Sequence, residues 1–504
     1  MTRAPASTPD TGTEPLRRGR VLAGLMLTTG LAAIDSTVVA TAVPLIVHDL
    51  GHFSLFPWVF SAYVLAMAVT TPVYGKLADV YGRRPMLLTG TTLFLLGSVF
   101  AGAAWSMPAL ILARCVQGLG AGALQSISQT VIADIYSIEE RGRISGWMSS
   151  VWGLSAIIGP ALGGLLSQYA SWRWIFFINL PIGLAALTMV MRYLREKVKR
   201  TRHRIDVEGG VLLVLWTGLL MLGLLSGGSR WAWSSWPSLL VFCGAVVALA
   251  VFVLRERGAA EPMLPPWVFR HRVIAGPNLT SLCVGITVSG LTIFLPTFAQ
   301  TVLGATPVVA GFVLAVMSIG WPFAASQANR LYMRIGFRDT ALVGVAFLLA
   351  AAAVFWTLGP DAGIVHVAVA SLLTGVGLGL LSNSMMIGVQ SIVGWERRGV
   401  LTGSMMFTRT IGTALGAAVF GGIANASLGQ WLANAPKLLR GKLPATIDNA
   451  TRLVTGGHGN AAVTAFVRDG VYVAVHRVLL GVGVVALVAL VVTLVTPRRF
   501  RRLD

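Results

Sequence analysis

Long apolar stretches recur along the whole chain, and they constrain its fold more than any other feature. An α-helix needs about 20 mostly apolar residues to cross the hydrocarbon core of a bilayer. Only 12% of the 504 residues are charged, too few for a water-soluble domain of this size. We therefore predict an all-α membrane protein with fourteen spans, at residues 21–46, 55–76, 86–106, 108–134, 143–169, 173–193, 208–227, 236–254, 273–302, 306–332, 339–358, 361–390, 399–428 and 474–496.

Lysine and arginine are concentrated in every second loop between these spans. Lys76 to Arg84, Arg141 to Arg143 and Arg397-Arg398 lie in basic loops, whereas Ser106-Met107 and Leu303 to Ala305 carry no basic residue. Basic loops stay in the cytoplasm, so we expect both termini there and the protein in the cell inner (plasma) membrane. These loops account for the net charge of +20, and its scatter weighs against a nucleic-acid partner.

The second half of the chain repeats the first at an offset of about 257 residues. Arg141-Gly142 matches Arg398-Gly399, and Gly146 matches Gly403. Parallel repeats of six spans are typical of secondary transporters that bind substrate between their halves, near the bilayer midplane. The expected organisation is a disordered cytoplasmic tail 1–20, an N-terminal six-helix bundle 21–193, a two-helix insertion with linkers 194–272, a C-terminal six-helix bundle 273–496 with a long outer loop 429–472, and a basic tail 497–504.

Asp35 is the one carboxylate that lies deep inside a predicted span. A charged side chain in hydrocarbon costs roughly 3 kcal/mol on insertion scales, so a residue of this kind is functional by default. Burial disfavours the charged form of a carboxyl group. We therefore expect Asp35 to bind and release protons, in competition with a cationic substrate.

Three motifs together resemble those of the major facilitator superfamily. Gly75-Lys-Leu-Ala-Asp79-Val-Tyr-Gly82-Arg83-Arg84-Pro85 is similar to the family's signature between spans two and three. Leu112-Ala-Arg114-Cys-Val-Gln117-Gly118-Leu-Gly120 resembles its fourth-span motif, and Gly153-Leu-Ser-Ala-Ile-Ile-Gly159-Pro160-Ala-Leu-Gly163-Gly164 resembles its fifth-span antiporter motif. Fourteen spans narrow the resemblance to the drug:proton antiporters, which implies two six-helix bundles of the major facilitator fold plus two inserted spans.

The first motif implies a latch at the cytoplasmic end of the bundle. In the family, its aspartate faces the N-terminus of a helix in the other half, where exposed N–H groups and the helix dipole attract a carboxylate. That helix is span thirteen here, and Arg83 is expected near the acid that ends span four. The alternative is a solvated turn whose charges only orient the chain. The implied latch residues are Gly75, Asp79, Gly82, Arg83, Arg84 and Asp134.

The fourth-span motif places Arg114 inside the membrane, where an arginine must face the interior and find a partner. Asp35 lies at a similar depth, so we expect Arg114 to sense its charge directly or through Gln117. An arginine bonded only to backbone carbonyls is the alternative.

The fifth-span motif predicts a bent and tightly packed seam at Gly159, Pro160, Gly163 and Gly164. Proline removes a backbone donor and bends a helix, and glycines let a neighbouring backbone approach closely. Ordinary helix packing explains the glycines equally well. Ala417 replaces the proline in the second half. The bend is therefore expected to be lost there, and the two halves are not expected to be functionally equal.

Polar, aromatic and soft side chains within the spans are candidates for a substrate cavity. Aromatic faces suit lipophilic cations, and methionine adapts to varied shapes. The candidates are Tyr63, Gln117, Gln125, Trp152, Asn179, Phe294, Asn383, Met386, Phe407 and Arg409.

The leading hypothesis is a monomeric, proton-coupled antiporter that exports lipophilic, cationic small molecules by alternating access, with the proton as its only coupling ion and no cofactor. Export of an endogenous amphiphile such as a lipid, siderophore or antibiotic is the alternative. Proton-coupled uptake is a weaker hypothesis than either kind of export.

An ATP-driven pump is disfavoured because no GxxxxGK[ST] loop is present. The spans show no cluster of catalytic or metal-binding residues, so the sequence does not indicate an enzyme. A channel and a non-transporting receptor are further alternatives that explain the repeat or Asp35 less well.

Overall fold

The computed structural model describes residues 15–39, 42–50, 57–196, 206–227, 231–259, 262–436, 450, 454 and 461–500. Its regular elements are helices, with one isolated β-bridge between Gly227 and Trp231 in the described part. The α-helices are α1 Pro15–Val38, α2 Val43–Leu50, α3 Pro57–Tyr81, α4 Arg83–Gly102, α5 Met107–Ile135, α6 Ile138–Tyr169, α7 Trp174–Phe177, α8 Asn179–Tyr193, α9 Val207–Ser226, α10 Trp236–Gly258, α11 Trp267–Arg270, α12 Arg272–Thr297, α13 Pro307–Ile335, α14 Phe337–Trp356, α15 Ile364–Ser391, α16 Trp395–Ala433 and α17 Ala461–Val495.

Thirteen helical segments of the described residues are long and apolar enough to cross a membrane, and one of them joins α7 and α8. Helix α6, which has 32 residues and corresponds to the fifth predicted span, is not among these thirteen. The prediction of an all-α membrane protein is confirmed. A π-helical turn, Phe298–Val302, extends α12 and was not predicted from sequence.

The helices extend further than expected at two places. Helix α1 begins at Pro15, so the last residues of the tail predicted to be disordered are helical; residues 1–14 lie outside the described part. Helices α16 and α17 reach into the predicted outer loop 429–472. The Trp431 ring packs 5.5 Å from the Phe466 ring, and its N–H donates to the Phe466 carbonyl at 3.1 Å, so each helix supports the other there. Residues 437–449, 451–453 and 455–460 of this loop and 501–504 of the basic tail are not described.

The two halves pack their helices in the same pattern. In the N-terminal bundle α5 packs on α3 and α4, and α1 packs on α6. In the C-terminal bundle α15 packs on α13 and α14, and α12 packs on α16. Gly82 and Gly336, which match in the repeat at the slightly shorter offset of 254 residues, both have positive φ angles, 100° and 89°, at the junctions α3–α4 and α13–α14. Because glycine adopts such angles without steric cost, the repeat extends to backbone conformation.

Contacts between the halves run mainly along two helix pairs. Helix α3 packs against α16, and α6 packs against α13. The inserted helices α9 and α10 pack on each other, and α9 also contacts α3 and α16. The Trp216 ring of α9 meets the Phe407 ring of α16 edge to face at 5.8 Å. The inserted pair therefore lies along the seam between the halves.

Candidate functional site

Asp35 and Arg114 form a buried ion pair within the N-terminal bundle. One Asp35 carboxylate oxygen lies 2.5 Å from an Arg114 guanidinium nitrogen, and both residues are fully buried. The Arg114 Nε–H donates to the Val59 carbonyl at 3.2 Å. An isolated buried charge is costly, so each member of the pair stabilises the charged form of the other.

Amide and hydroxyl groups complete the coordination of this pair. Gln117 accepts from Arg114 at 2.6 Å and donates to Asp35 at 2.7 Å, so it bridges the two charges. Asn179 of α8 donates to Asp35 at 3.3 Å. Both amides also donate to the Ser98 hydroxyl of α4, at 2.9 and 3.2 Å. The Asp35 cluster, which we define as Asp35, Ser98, Arg114, Gln117 and Asn179, therefore ties together α1, α4, α5 and α8.

The Tyr63 ring lies under the Arg114 guanidinium, with its centroid 4.2 Å from the guanidinium carbon. An aromatic face attracts a cation in this position. Tyr63, Gln117 and Asn179 were expected at the substrate cavity, but their contacts belong to the buried Asp35 cluster. Ser98 was not predicted, because a serine in an apolar span usually bonds its own helix and carries no distinctive signal.

Asp79 joins the two halves at the end of the bundle that carries Arg83, Arg141 and Arg398, which we call the basic end. Its two carboxylate oxygens accept from the backbone N–H groups of Gly399 and Val400, at 2.9 and 2.8 Å. These N–H groups lie near the start of α16, where a carboxylate is electrostatically favoured. A Cβ on Gly75 would lie 2.6 Å from the Gly399 carbonyl oxygen, so the close approach of α3 and α16 requires glycine.

Arg83 extends this contact into a network of charges. Its guanidinium lies 2.7 Å from Asp79 and 3.0 Å from Asp134, and Arg398 of the other half contacts Asp134 at 2.9 Å. The Trp395 ring covers the Arg83 guanidinium, 3.7 Å from its carbon to the ring centroid. In this conformation the two halves are closed at the basic end.

Glu196 and Tyr332 also stabilise the basic end, and the motif between spans two and three did not indicate either residue. Glu196 accepts from the backbone N–H groups of Arg83 and Arg84 at the start of α4, at 3.0 and 3.1 Å. Arg84 donates to the Met191 carbonyl at 2.7 Å. On the other helix pair, Tyr332 of α13 donates to the Ile138 carbonyl of α6 at 2.5 Å.

The glycine-proline seam lies inside α6, and its described contacts are with α1. A Cβ on Gly159 would lie 2.9 Å from the Thr37 Cβ, and the Thr37 hydroxyl donates to the Ser155 carbonyl at 3.0 Å. Gly163 is buried, whereas the side-chain surroundings of Pro160 and the environment of Gly164 are outside the described part. The opposite side of α6 meets the other half, since a Cβ on Gly153 would lie 3.1 Å from the Ser318 carbonyl of α13.

Three other cavity candidates lie in packed contacts. Phe294 is buried in an apolar cluster of the C-terminal bundle, and Phe407 is buried against Trp216. Asn383 donates to the Ala325 carbonyl at 2.9 Å, which ties α15 to α13. These burials share one reason: hydropathy does not tell which side of a span faces a neighbouring helix.

The remaining candidates are more accessible. Gln125, Met386 and Arg409 are half-buried, and Trp152 is 37% exposed. Met386 packs at the margin of an apolar cluster.

Comparison with known proteins agrees with this architecture. Residues 25–417 match the family model described as the Major Facilitator Superfamily. The chain belongs to the Major Facilitator Superfamily. It is 35% identical to Multidrug resistance protein 3 of Bacillus subtilis over 80% of this chain and 78% of that protein. It is 30% identical to the multidrug transporter protein MdtP of the same organism, over 82% and 77%. The family and these relatives support a membrane transporter of small molecules, a drug exporter rather than an enzyme.

Solved structures of the same fold cover nearly the whole chain. A bacterial homologue of the iron transporter ferroportin, in an outward-facing state, matches with a TM-score of 0.61 at 14% identity, over 94% of this chain and 99% of that one. The human organic anion transporter MFSD10 (TETRAN) matches with a TM-score of 0.63 at 14% identity, over 95% and 100%. These similarities concern the fold alone.

Proposed function

We propose that this protein is a proton-coupled antiporter that exports lipophilic small molecules from the cytoplasm by alternating access. The observation that supports it most is the complete burial of Asp35 against Arg114, Gln117 and Asn179. A carboxylate that takes up a proton loses its ion pair with arginine, so protonation of Asp35 would release Arg114 and rearrange the cluster. The two protonation states of Asp35 therefore favour different helix arrangements.

A short series of contacts connects Asp35 with the interface between the halves. Thr37 lies on the same helix, and its hydroxyl bonds the Ser155 carbonyl of α6. Helix α6 in turn packs on α13 of the other bundle, where Gly153 lies against Ser318. A shift of α1 on protonation would be transmitted to α6, and through α6 to the packing of the two bundles.

The buried position of Asp35 bears on how proton and substrate are exchanged. Its oxygens are occupied by Arg114, Gln117 and Asn179, and it is 0% exposed, so a bulky cation has no route to it in this conformation. We propose that protonation acts through Arg114 and the bundle interface rather than by direct competition at the carboxylate. Release of the Asp79 contacts then opens the basic end, and the substrate site becomes accessible from the cytoplasm.

Acid-loaded proteoliposomes test this function. Pyranine in the lumen reports pH, and ethidium, 1-pyrenebutanol or 1-pyrenebutyrate is added outside, with protein-free liposomes as the baseline. We expect at least one of these compounds to accumulate in the lumen and to drive lumenal alkalinisation above that baseline. Asp35→Asn should reduce this coupled flux to the baseline while exchange of compound without a gradient persists, because asparagine mimics the protonated carboxyl.

Asp361→Asn is the matched control, since it makes the same chemical change at an exposed loop residue, and its coupled flux should equal that of the wild type. Gel filtration confirms that each variant folds. Wild-type coupled flux in Asp35→Asn, or no proton movement with any of the compounds in wild type, would refute proton coupling at Asp35.

A further inference from the structure

Arg409 is an arginine in the middle of the membrane that has no partner among the described residues. It lies on α16 about 15 Å beyond Gly399 of the latch, at 1.5 Å per residue, and half the hydrocarbon thickness is also about 15 Å. Its guanidinium contacts no carboxylate, hydrogen-bond acceptor or aromatic ring among the described residues. Arginines within membranes face the bundle interior or a water-filled cavity, pair with an anion or carbonyl, and mark substrate pathways.

The surroundings of Arg409 hold its backbone but leave its side chain accessible. The preceding residue, Thr408, donates to the Asn278 side chain of α12 at 3.2 Å. Gly285 of α12 packs directly against the Arg409 carbonyl. Arg409 as a whole residue is half-buried, and Thr413, one turn further on, is exposed. A fixed helix therefore presents a charged and reachable donor group.

The balance of charge at this depth is positive. Asp35 and Arg114 offset one another in the N-terminal bundle. No other carboxylate of the described residues lies near the middle of a span, so the charge of Arg409 is uncompensated. A site with this charge attracts an anion and repels a cation.

We propose that Arg409 binds the carboxylate of exported lipophilic acids, so that the substrates are acidic amphiphiles rather than cations. This assignment rests on the proposed exporter function and specifies the substrate class of its cavity. The planar guanidinium presents paired N–H donors that match the two oxygens of a carboxylate, and such bidentate contacts strengthen when water is excluded. The lipophilic body of the substrate would occupy the apolar surface around it.

Binding of three probes that share one aromatic body tests the proposal. The probes are 1-pyrenebutyrate, neutral 1-pyrenebutanol and a pyrenebutyl-trimethylammonium cation, measured by fluorescence anisotropy with the purified full-length protein. We expect wild type to bind pyrenebutyrate at least tenfold more tightly than pyrenebutanol, and the cation most weakly. Arg409→Gln should bring pyrenebutyrate to within about twofold of pyrenebutanol while pyrenebutanol affinity stays the same.

Two further variants separate the effect of the paired donors from that of the charge and control for the loss of an arginine. Arg409→Lys keeps the charge but loses the paired donors, so its preference for pyrenebutyrate should fall several-fold and not vanish; it also serves if Arg409→Gln does not fold. Arg477→Gln is the matched control, because Arg477 lies nearer the opposite end of the C-terminal bundle and already bonds Ser427 and Gln430 at 3.2 and 3.0 Å. Its probe preference should equal that of wild type.

The proposal is overturned if wild type binds pyrenebutyrate no better than pyrenebutanol, if it prefers the cation, or if Arg409→Gln retains the preference. Its failure is distinguishable from failure of proton coupling. Coupled flux of pyrenebutanol involves Asp35 and not the Arg409 charge, so that assay can fail or succeed independently of carboxylate binding.

Discussion

The N-terminal and C-terminal bundles repeat one another in helix packing but balance charge differently inside the membrane. Arg114 of the N-terminal bundle contacts Asp35 at 2.5 Å. The residues that match Arg114 and Gln117 in the C-terminal bundle are Ser371 and Thr374, whose hydroxyls donate to carbonyls of their own helix at 2.9 and 2.8 Å. The buried network has therefore been kept in, or acquired by, one copy of the repeat only.

The position that matches Arg409 differs in the opposite sense. It is Trp152 of α6, an apolar side chain that is 37% exposed. The N-terminal bundle thus holds a buried ion pair and an accessible aromatic ring. The C-terminal bundle holds a half-buried arginine without a partner among the described residues. A duplicated scaffold permits this division, because each half needs only the backbone packing to be preserved. We infer that the N-terminal bundle handles the proton and the C-terminal bundle the charge of the substrate.

Replacement of Arg114 should give the largest effect. Arg114→Met leaves Asp35 buried without its cation, and removing one member of a buried pair typically costs about 3–5 kcal/mol. We expect the apparent unfolding temperature in detergent to fall by several degrees and coupled flux to disappear. The double variant Asp35→Asn with Arg114→Met should regain part of the thermal stability, because no unpaired charge remains.

Arg477→Met serves as control for the loss of an arginine that contacts only neutral groups, and it should shift the unfolding temperature little. If Arg114→Met is as stable and as active as wild type, the N-terminal pair has no special role and the contrast between the bundles collapses.

Loss of the latch carboxylate should have a smaller effect on stability and a clear effect on conformation. Asp79→Asn removes the charge but keeps one acceptor oxygen for Gly399 and Val400, so it loses only part of the about 1.5–3 kcal/mol that each charge-assisted bond contributes. The closed basic end then becomes less populated, by about tenfold or more. Spin labels on the exposed residues Tyr81 and Arg397, one in each half, should report a longer distance, and the transport rate should fall.

Equilibrium binding of the pyrene probes should persist in Asp79→Asn, since the latch lies about half a membrane away from Arg409. Asp361→Asn again controls for the substitution itself. An unchanged distance between the labels would mean that other contacts, such as Tyr332 with Ile138, keep this end closed.

Much of the fold could be predicted from sequence, because lipid imposes long apolar spans and the loops carry a clear charge pattern. The repeat was also recognisable from matching glycines, such as Gly82 and Gly336, which adopt a backbone conformation that few other residues adopt. The pairing of Asp35 with Arg114 was foreseeable, since two charges at one depth in a membrane must be satisfied. The direction in which uncharged side chains point could not be predicted, because hydropathy is the same on every side of a span: Phe294 and Phe407 are buried between helices, and Ser98 gave no signal.

The two glycine seams offer the finest comparison of the bundles. Gly159 of α6 matches Gly416 of α16, yet an added methyl group meets different atoms. At Gly416 it would lie 2.8 Å from the backbone Cα and carbonyl oxygen of Ile286, which cannot move without shifting α12. At Gly159 its contacts are the Thr37 hydroxyl and, at 2.9 Å, the Thr37 Cβ. Rotation of Thr37 relieves the first contact but breaks the bonds to the Ile34 and Ser155 carbonyls.

We therefore expect Gly416→Ala to destabilise by about 1–3 kcal/mol, as overpacking usually does, and Gly159→Ala by about 1 kcal/mol. Thermal unfolding in detergent and exchange without a proton gradient measure both, with Gly421→Ala, which has open space for a methyl group, as control. A Gly159→Ala variant that is stable but cannot transport would reverse the ranking. That result would mean that α6 must move against α1 during the cycle, so the Gly-Pro seam would act as a hinge and not merely as a packing surface.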